Sequence, residues 1–284
     1  MSGISFEYFP GRSEKASNQL AETVKLLAQF QPDFQSVTYG AGGSDRNGTL
    51  DAVRRFQTET GVRTASHLTF TGSSQDDIRS FADELWNAEI RQIVALRGDP
   101  RDGSDNLPFE DTPAFVAALK ECHPFEIAVA CYPEIHPKAK SSEADIEVLK
   151  AKQDAGASLA ITQFFFDNSV FYEFVERARA ADITIPIVPG ILPIYNFAKV
   201  CEMAEQCKTH IPDHVHKAFS DETMGSSAIE VASELLKAQV HDLACAGFEA
   251  IHIYTLNKVE LAKLAAETFN SAKELHQQNK RKVA

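Results

Sequence analysis

The chain has 284 residues, 44% hydrophobic and 24% charged, which excludes a disordered polypeptide and supplies core enough for one or two domains. Its net charge of −12 repels phosphate backbones and anionic membranes, so nucleic-acid and lipid-surface roles are disfavoured. The five cysteines form no CxxC pair, which argues against a zinc ribbon or a disulfide framework. They are expected to be reduced and mostly buried, in a cytoplasmic protein. Met1 to Pro10 shows no secretory signal, and no apolar run approaches the ~18 residues of a membrane span.

Eight apolar, β-rich runs follow one another along the chain: Ser5–Phe9, Phe34–Tyr39, Arg63–Phe70, Gln92–Asp99, Glu126–Tyr132, Leu159–Phe166, Pro186–Leu192 and Ala250–Leu256. Between them apolar residues recur at helical spacing, as in Leu20, Val24 and Leu27, or Leu236, Val240 and Leu243. Gly156 and Gly247 stand where helices stop before the sixth and eighth strands, and Ser142 with Asp145 resembles a capping box. Alternating helices and short strands imply parallel strands joined by crossovers, and eight such units fit a closed (β/α)₈ TIM barrel. A doubly wound open sheet is the alternative, but Gly40-Ala41-Gly42-Gly43 lacks the GxGxxG spacing. With no linker in sight, residues 1–284 read as one α/β domain. Residues 209–225 form an extra loop or short helix, the last helix ends near His276, and 277–284 with Lys280 to Lys282 form a solvated basic tail.

Strand parity locates a candidate site. One face of the strands suits helix packing; the other carries Glu7, Thr38, His67, Arg97, Asp99 and Gln163, with Arg97 and Asp99 sharing a face with Ala95. Ion pairs of Arg97 with Asp99 or Glu7 would account for one or two of these. Five or six polar residues near the C-terminal rim, where barrel active sites are built, account better for a site. Glu7 is the candidate acid, its pKa raised by burial; Asp99, beside Gly98, is expected to stay ionised. His67 has no ligand spacing around it, His214 and His216 read as surface residues, and no metal is assigned. No GxSxG elbow is present, and most of Phe164-Phe165-Phe166 reads as core. An acid, a second carboxylate and amide donors are compatible with hydride transfer, glycoside hydrolysis or lyase chemistry.

Several segments, in order, resemble the methylenetetrahydrofolate reductases of short bacterial type. They are Ser5-Phe6-Glu7-Tyr8-Phe9-Pro10, Ser36-Val37-Thr38-Tyr39-Gly40, His67-Leu68-Thr69, Ala95-Leu96-Arg97-Gly98-Asp99, Tyr132-Pro133-Glu134-Ile135-His136-Pro137, Thr162-Gln163-Phe164-Phe165-Phe166-Asp167, Pro189-Gly190-Ile191-Leu192-Pro193 and Tyr254-Thr255-Leu256-Asn257. The resemblance implies a (β/α)₈ barrel carrying FAD. NADH, or NADPH, would reduce 5,10-methylenetetrahydrofolate to 5-methyltetrahydrofolate by ping-pong kinetics, in one-carbon metabolism and methionine synthesis. It implies Glu7 as general acid, Asp99 as the carboxylate by the flavin, and Gln163, Phe197 and Lys258 as substrate contacts. Its implied FAD contacts are Thr38, His67, Leu96, Arg97, Gly98, Asp99, Ala130, Tyr132, His136, Asp145 and Lys152. Val148 replaces an expected asparagine, and Lys258 an expected arginine, keeping charge but losing the bidentate fork. A homo-oligomer, possibly a tetramer, is expected, without control by S-adenosylmethionine. The rivals are a colourless hydrolase using Glu7 and Asp99 as paired carboxylates, and a non-catalytic flavin- or folate-binding module.

Overall fold

The computed structural model describes residues 3–39, 46–99, 107–220 and 227–283. Gly40-Ala41-Gly42-Gly43 and Gly225 lie outside the described residues. Strand and helix alternate from β1 (Ile4–Tyr8) and α1 (Glu14–Ala28) through β2 (Phe34–Val37), α2 (Arg46–Thr60), β3 (Thr64–Thr69), α3 (Gln75–Asn87), β4 (Gln92–Leu96) and α4 (Thr112–Cys122). They continue through β5 (Glu126–Cys131), α5 (Ser142–Asp154), β6 (Leu159–Thr162), α6 (Asn168–Ala180), β7 (Ile187–Val188) and β8 (Gly190–Ile191). The remainder is α7 (Phe197–Cys207), α8 (Asp213–Ala218), α9 (Ala228–Cys245), β9 (Ile251–Tyr254) and α10 (Glu260–Val283). Of the stretch 209–225, where a loop or short helix is expected, residues Asp213–Ala218 form α8. The last helix runs on through most of the residues expected as a tail.

All pairings are parallel, in the order β7-β6-β5-β4-β3-β2-β1-β9-β8. The two ends of this sheet, β7 and β8, are consecutive in the chain and separated only by Pro189. Together they are the seventh strand of an eight-stranded TIM barrel. Proline has no N–H to give a ladder, but its carbonyl still accepts from His252 N at 2.9 Å. The expected strands are all present and each ends earlier at its C-terminus, so that several rim residues belong to loops.

Period-two alternation divides each strand. Phe6, Tyr8, Val37, Leu68, Ile93, Ala95, Val129 and Ile253 are fully buried and pack against the helices in the main core. Phe34, Ala65, Val94, Ala128 and Ile161, one from each of β2 to β6, form a separate apolar layer inside the barrel. Helix starts are set locally: Ser13 caps α1, Ser74 and Asp77 form a capping box on α3, and Asp111 caps α4. Helix α5 departs from expectation. Its cap is Ser141, accepting from Ala144 N, while the Asp145 carboxylate instead takes the N–H of His136 at 2.9 Å. Among the described residues no helix is long and apolar enough to cross a membrane.

Candidate active site at the C-terminal mouth of the barrel

Above the apolar layer the interior turns polar. Glu7 on β1 points inward, its side chain 14% exposed, with Oε2 lying 3.3 Å from His67 Nε2 and 3.6 Å from His252 Nε2. His67 Nε2 also meets Ser36 Oγ at 3.2 Å, and His252 Nδ1 meets Ser5 Oγ at 2.7 Å. Strand register dictates this grouping, because Glu7 stands opposite Ser36 on β2 and Tyr254 on β9, and Ser5 stands opposite His252. Parity then turns Ser5, Glu7, Ser36, His67, His252 and Tyr254 to the same side.

The carboxyl of Glu7 is therefore not the lone desolvated acid that the sequence suggested. Burial pushes it up, but the neighbouring imidazoles of His67 and His252 outweigh burial and bring it below the ordinary carboxylate value. His67 is itself pushed down by burial, against the pull of Glu7. The two groups are thus one coupled unit.

A cleft of about 690 Å³ opens over this group. Of the predicted residues, Glu7, Thr38, His67, Leu96, Gly98, Asp99, Ala130, Tyr132 and Gln163 line it. Arg97 does not, and here the parity reading is corrected: Val94 and Leu96 are the inward residues of β4, while Ala95 is packed outward and Arg97 is exposed. Pairing stops at Leu96, and Gly98, at φ +80°, breaks the alternation so that Asp99 reaches the cleft. A Cβ on Gly98 would lie 2.8 Å from Thr69 Cβ, so only glycine fits. Among the described residues Arg97 pairs with neither Glu7 nor Asp99.

Other predicted residues fall beside the cleft or away from it. Tyr132 packs edge-on against His136, with centroids 4.5 Å apart, and so joins the cleft to a shoulder containing His136, Asp145 and Lys152. Lys152 is 9% exposed and donates to the Ala130 carbonyl at 2.8 Å, its amine pushed below its ordinary value by burial. Val148 is 43% exposed on α5. Phe197 stacks on Phe219 at 4.5 Å and meets His216 edge-on, outside the cleft. Lys258 is exposed, its Nζ 4.5 Å above the Tyr195 ring, and does not line the cleft either.

Sequence reasoning missed His252, Tyr254, Ser5 and Cys207. The first two had a signal: in Ile251-His252-Ile253-Tyr254 polar residues hold every second position of an otherwise aliphatic strand. Tyr254 O–H donates to the Thr162 carbonyl at 2.6 Å and walls the cleft. The cysteines are free, but only Cys131 is buried; Cys122, Cys201 and Cys207 are half-buried and Cys245 is exposed.

The sequence profile of methylenetetrahydrofolate reductase matches residues 2–270. The chain is 38% identical over 272 residues to the 5,10-methylenetetrahydrofolate reductase of Salmonella typhimurium, covering 93% of this chain and 90% of that protein. The same figures hold for the 5,10-methylenetetrahydrofolate reductase of Escherichia coli. Among solved structures, a Clostridium thermocellum protein described as binding two copies of 5-methyl-5,6,7,8-tetrahydrofolic acid superposes with a TM-score of 0.63 at 12% identity, covering 96% of each chain. That likeness concerns the fold.

Proposed function

Because the chain belongs to the methylenetetrahydrofolate reductase family, we propose that it reduces 5,10-methylenetetrahydrofolate to 5-methyltetrahydrofolate, using FAD and hydride from NADH or NADPH. The single observation that carries this reading is the buried Glu7 carboxyl, coupled to His67 at 3.3 Å on the floor of a cleft that also holds Asp99 and Gln163.

The residues present fit a flavin. Among the described residues Thr38 Oγ1 is buried without a hydrogen-bond partner, and it stands on the cleft wall, ready for a ligand's polar edge. Leu96, Ala130 and Ile161 give the same cleft an apolar lining. Thr38, His67, Leu96, Gly98, Asp99, Ala130 and Tyr132 would hold the ring system, and Arg97, His136, Asp145 and Lys152 are the candidates for the rest of the cofactor. Bound FAD supplies the hydride store that no amino-acid side chain offers.

The chain's own part is proton supply and orientation. Glu7 passes a proton to the nitrogen that leaves the substrate's five-membered ring, so that the ring opens to an iminium able to accept hydride. Gln163 offers an amide to the pterin edge. Asp99 sets a negative charge beside the cofactor. One cleft serving both substrates in turn makes the kinetics ping-pong, and the product enters methionine synthesis.

The deciding experiment is optical. Purified protein is expected to be yellow, to bleach anaerobically with NADH or NADPH, and to recover its colour on adding methylenetetrahydrofolate. A colourless active protein, or a yellow one that the nicotinamide cannot bleach, overturns the reading.

A further inference from the structure

The side-chain amide of Gln163 is engaged at both ends. Its Oε1 accepts from the Phe164 backbone N–H at 3.0 Å, and its Nε2 lies 3.4 Å from Cys207 Sγ. A backbone N–H can only donate, so this contact fixes which end of the amide is oxygen and turns the NH₂ toward the sulfur. Cys207 is the last residue of α7, half-buried, and lines the cleft. Burial and the charge of Asp99 push its thiol up, so the acceptor is a neutral sulfur, which binds an N–H weakly. The pterin edge carries donors and acceptors side by side, and an amide can read both only after leaving these two partners.

We propose that Cys207 is a positioning residue for substrate recognition: its sulfur orients the Gln163 amide and competes with the pterin for its N–H. This rests on the folate reading of the cleft. Sulfur suits the task because a hydroxyl in its place would hold the amide more tightly and an alkyl group would not hold it at all.

The test is equilibrium titration of the holoenzyme with 5-methyltetrahydrofolate, followed by the change in the flavin spectrum. Cys207→Ala frees the amide and is expected to lower Kd about two- to fivefold, whereas Cys207→Ser is expected to raise it by a similar factor. A packing role would move both in one direction, since both substitutions shrink the side chain. With Gln163→Leu in place, the two Cys207 substitutions are expected to lose their opposed effects. Shifts of the same sign, no shift, or shifts that persist without the amide overturn the proposal. If the unaltered holoenzyme fails to bind the folate at all, the reading of the cleft is what falls.

Discussion

Glu7 and His67 face each other across the barrel interior at 3.3 Å, and neither can titrate without the other. Burial holds His67 below its ordinary value of 6.5, so the folded chain binds less of this proton than the unfolded chain does. Stability therefore falls as pH drops through the unfolded histidine value. His136, lowered chiefly by burial, has the same sign, and Glu7, lowered by the imidazoles, extends the loss below its ordinary 4.5. The Tm is expected to decline from about pH 7 to about pH 5 and to fall faster nearer pH 4, with His67→Asn flattening the upper part. A Tm that rises on acidification over the upper interval contradicts the coupling.

Replacing Glu7 by Gln keeps the shape and removes the transferable proton. Reduction of the flavin by nicotinamide is expected to persist, while the folate half-reaction slows by about 10²–10⁴. Stopped-flow measurement of the two halves separates the outcomes. An equal loss in both would make Glu7 a residue of the architecture.

The cysteines differ enough in setting to be ranked by alkylation. Cys131 is 3% exposed and its thiol is pushed up to about 12 by burial, so at neutral pH it is almost wholly unreactive thiol. Cys245 is exposed on α9, with His241 Nδ1 3.6 Å from its sulfur. Mass-spectrometric mapping after N-ethylmaleimide treatment is expected to find Cys245 modified early and Cys131 only after unfolding. Early modification of Cys131 would mean that β5 opens in the native state.

The architecture was legible because barrel strands and helices differ in hydrophobic period. Glu7, His67 and Gln163 were legible for the same reason: polar side chains stood at the inward parity of apolar strands. At β4 the two faces were interchanged: Ala95 packs outward within the strand and Arg97 follows it, whereas Asp99 reaches the cleft only because the backbone turns at Gly98. The charge balance at Glu7 failed differently. It needed His252, some 245 residues away in sequence, brought within 3.6 Å by barrel closure, a contact no local pattern contains. Phe197 and Lys258 came from resemblance, and their side chains lie against Phe219 and Tyr195, a matter of packing rather than of sequence.

Closure itself depends on a narrow seam. Gly190 N donates to Thr162 Oγ1 at 2.8 Å, while the Tyr254 phenol passes over Gly190 to the Thr162 carbonyl at 2.6 Å. A Cβ on Gly190 would stand 2.3 Å from the Thr162 carbonyl oxygen and 2.7 Å from Tyr254 Cε2, and the first of these is backbone that cannot swing aside. Gly190→Ala must therefore separate β8 from β6 or expel the phenol, at a cost of about 1–3 kcal/mol typical of overpacking. Tyr254→Phe keeps the ring and gives up one buried hydrogen bond, for about 1 kcal/mol. Denaturant unfolding is expected to rank Gly190→Ala as the more damaging. In the double variant the costs should sum to less than the separate values, because a displaced phenol has already lost its bond. Full additivity would show that alanine is accommodated without moving Tyr254, and the seam would then be looser than its distances imply.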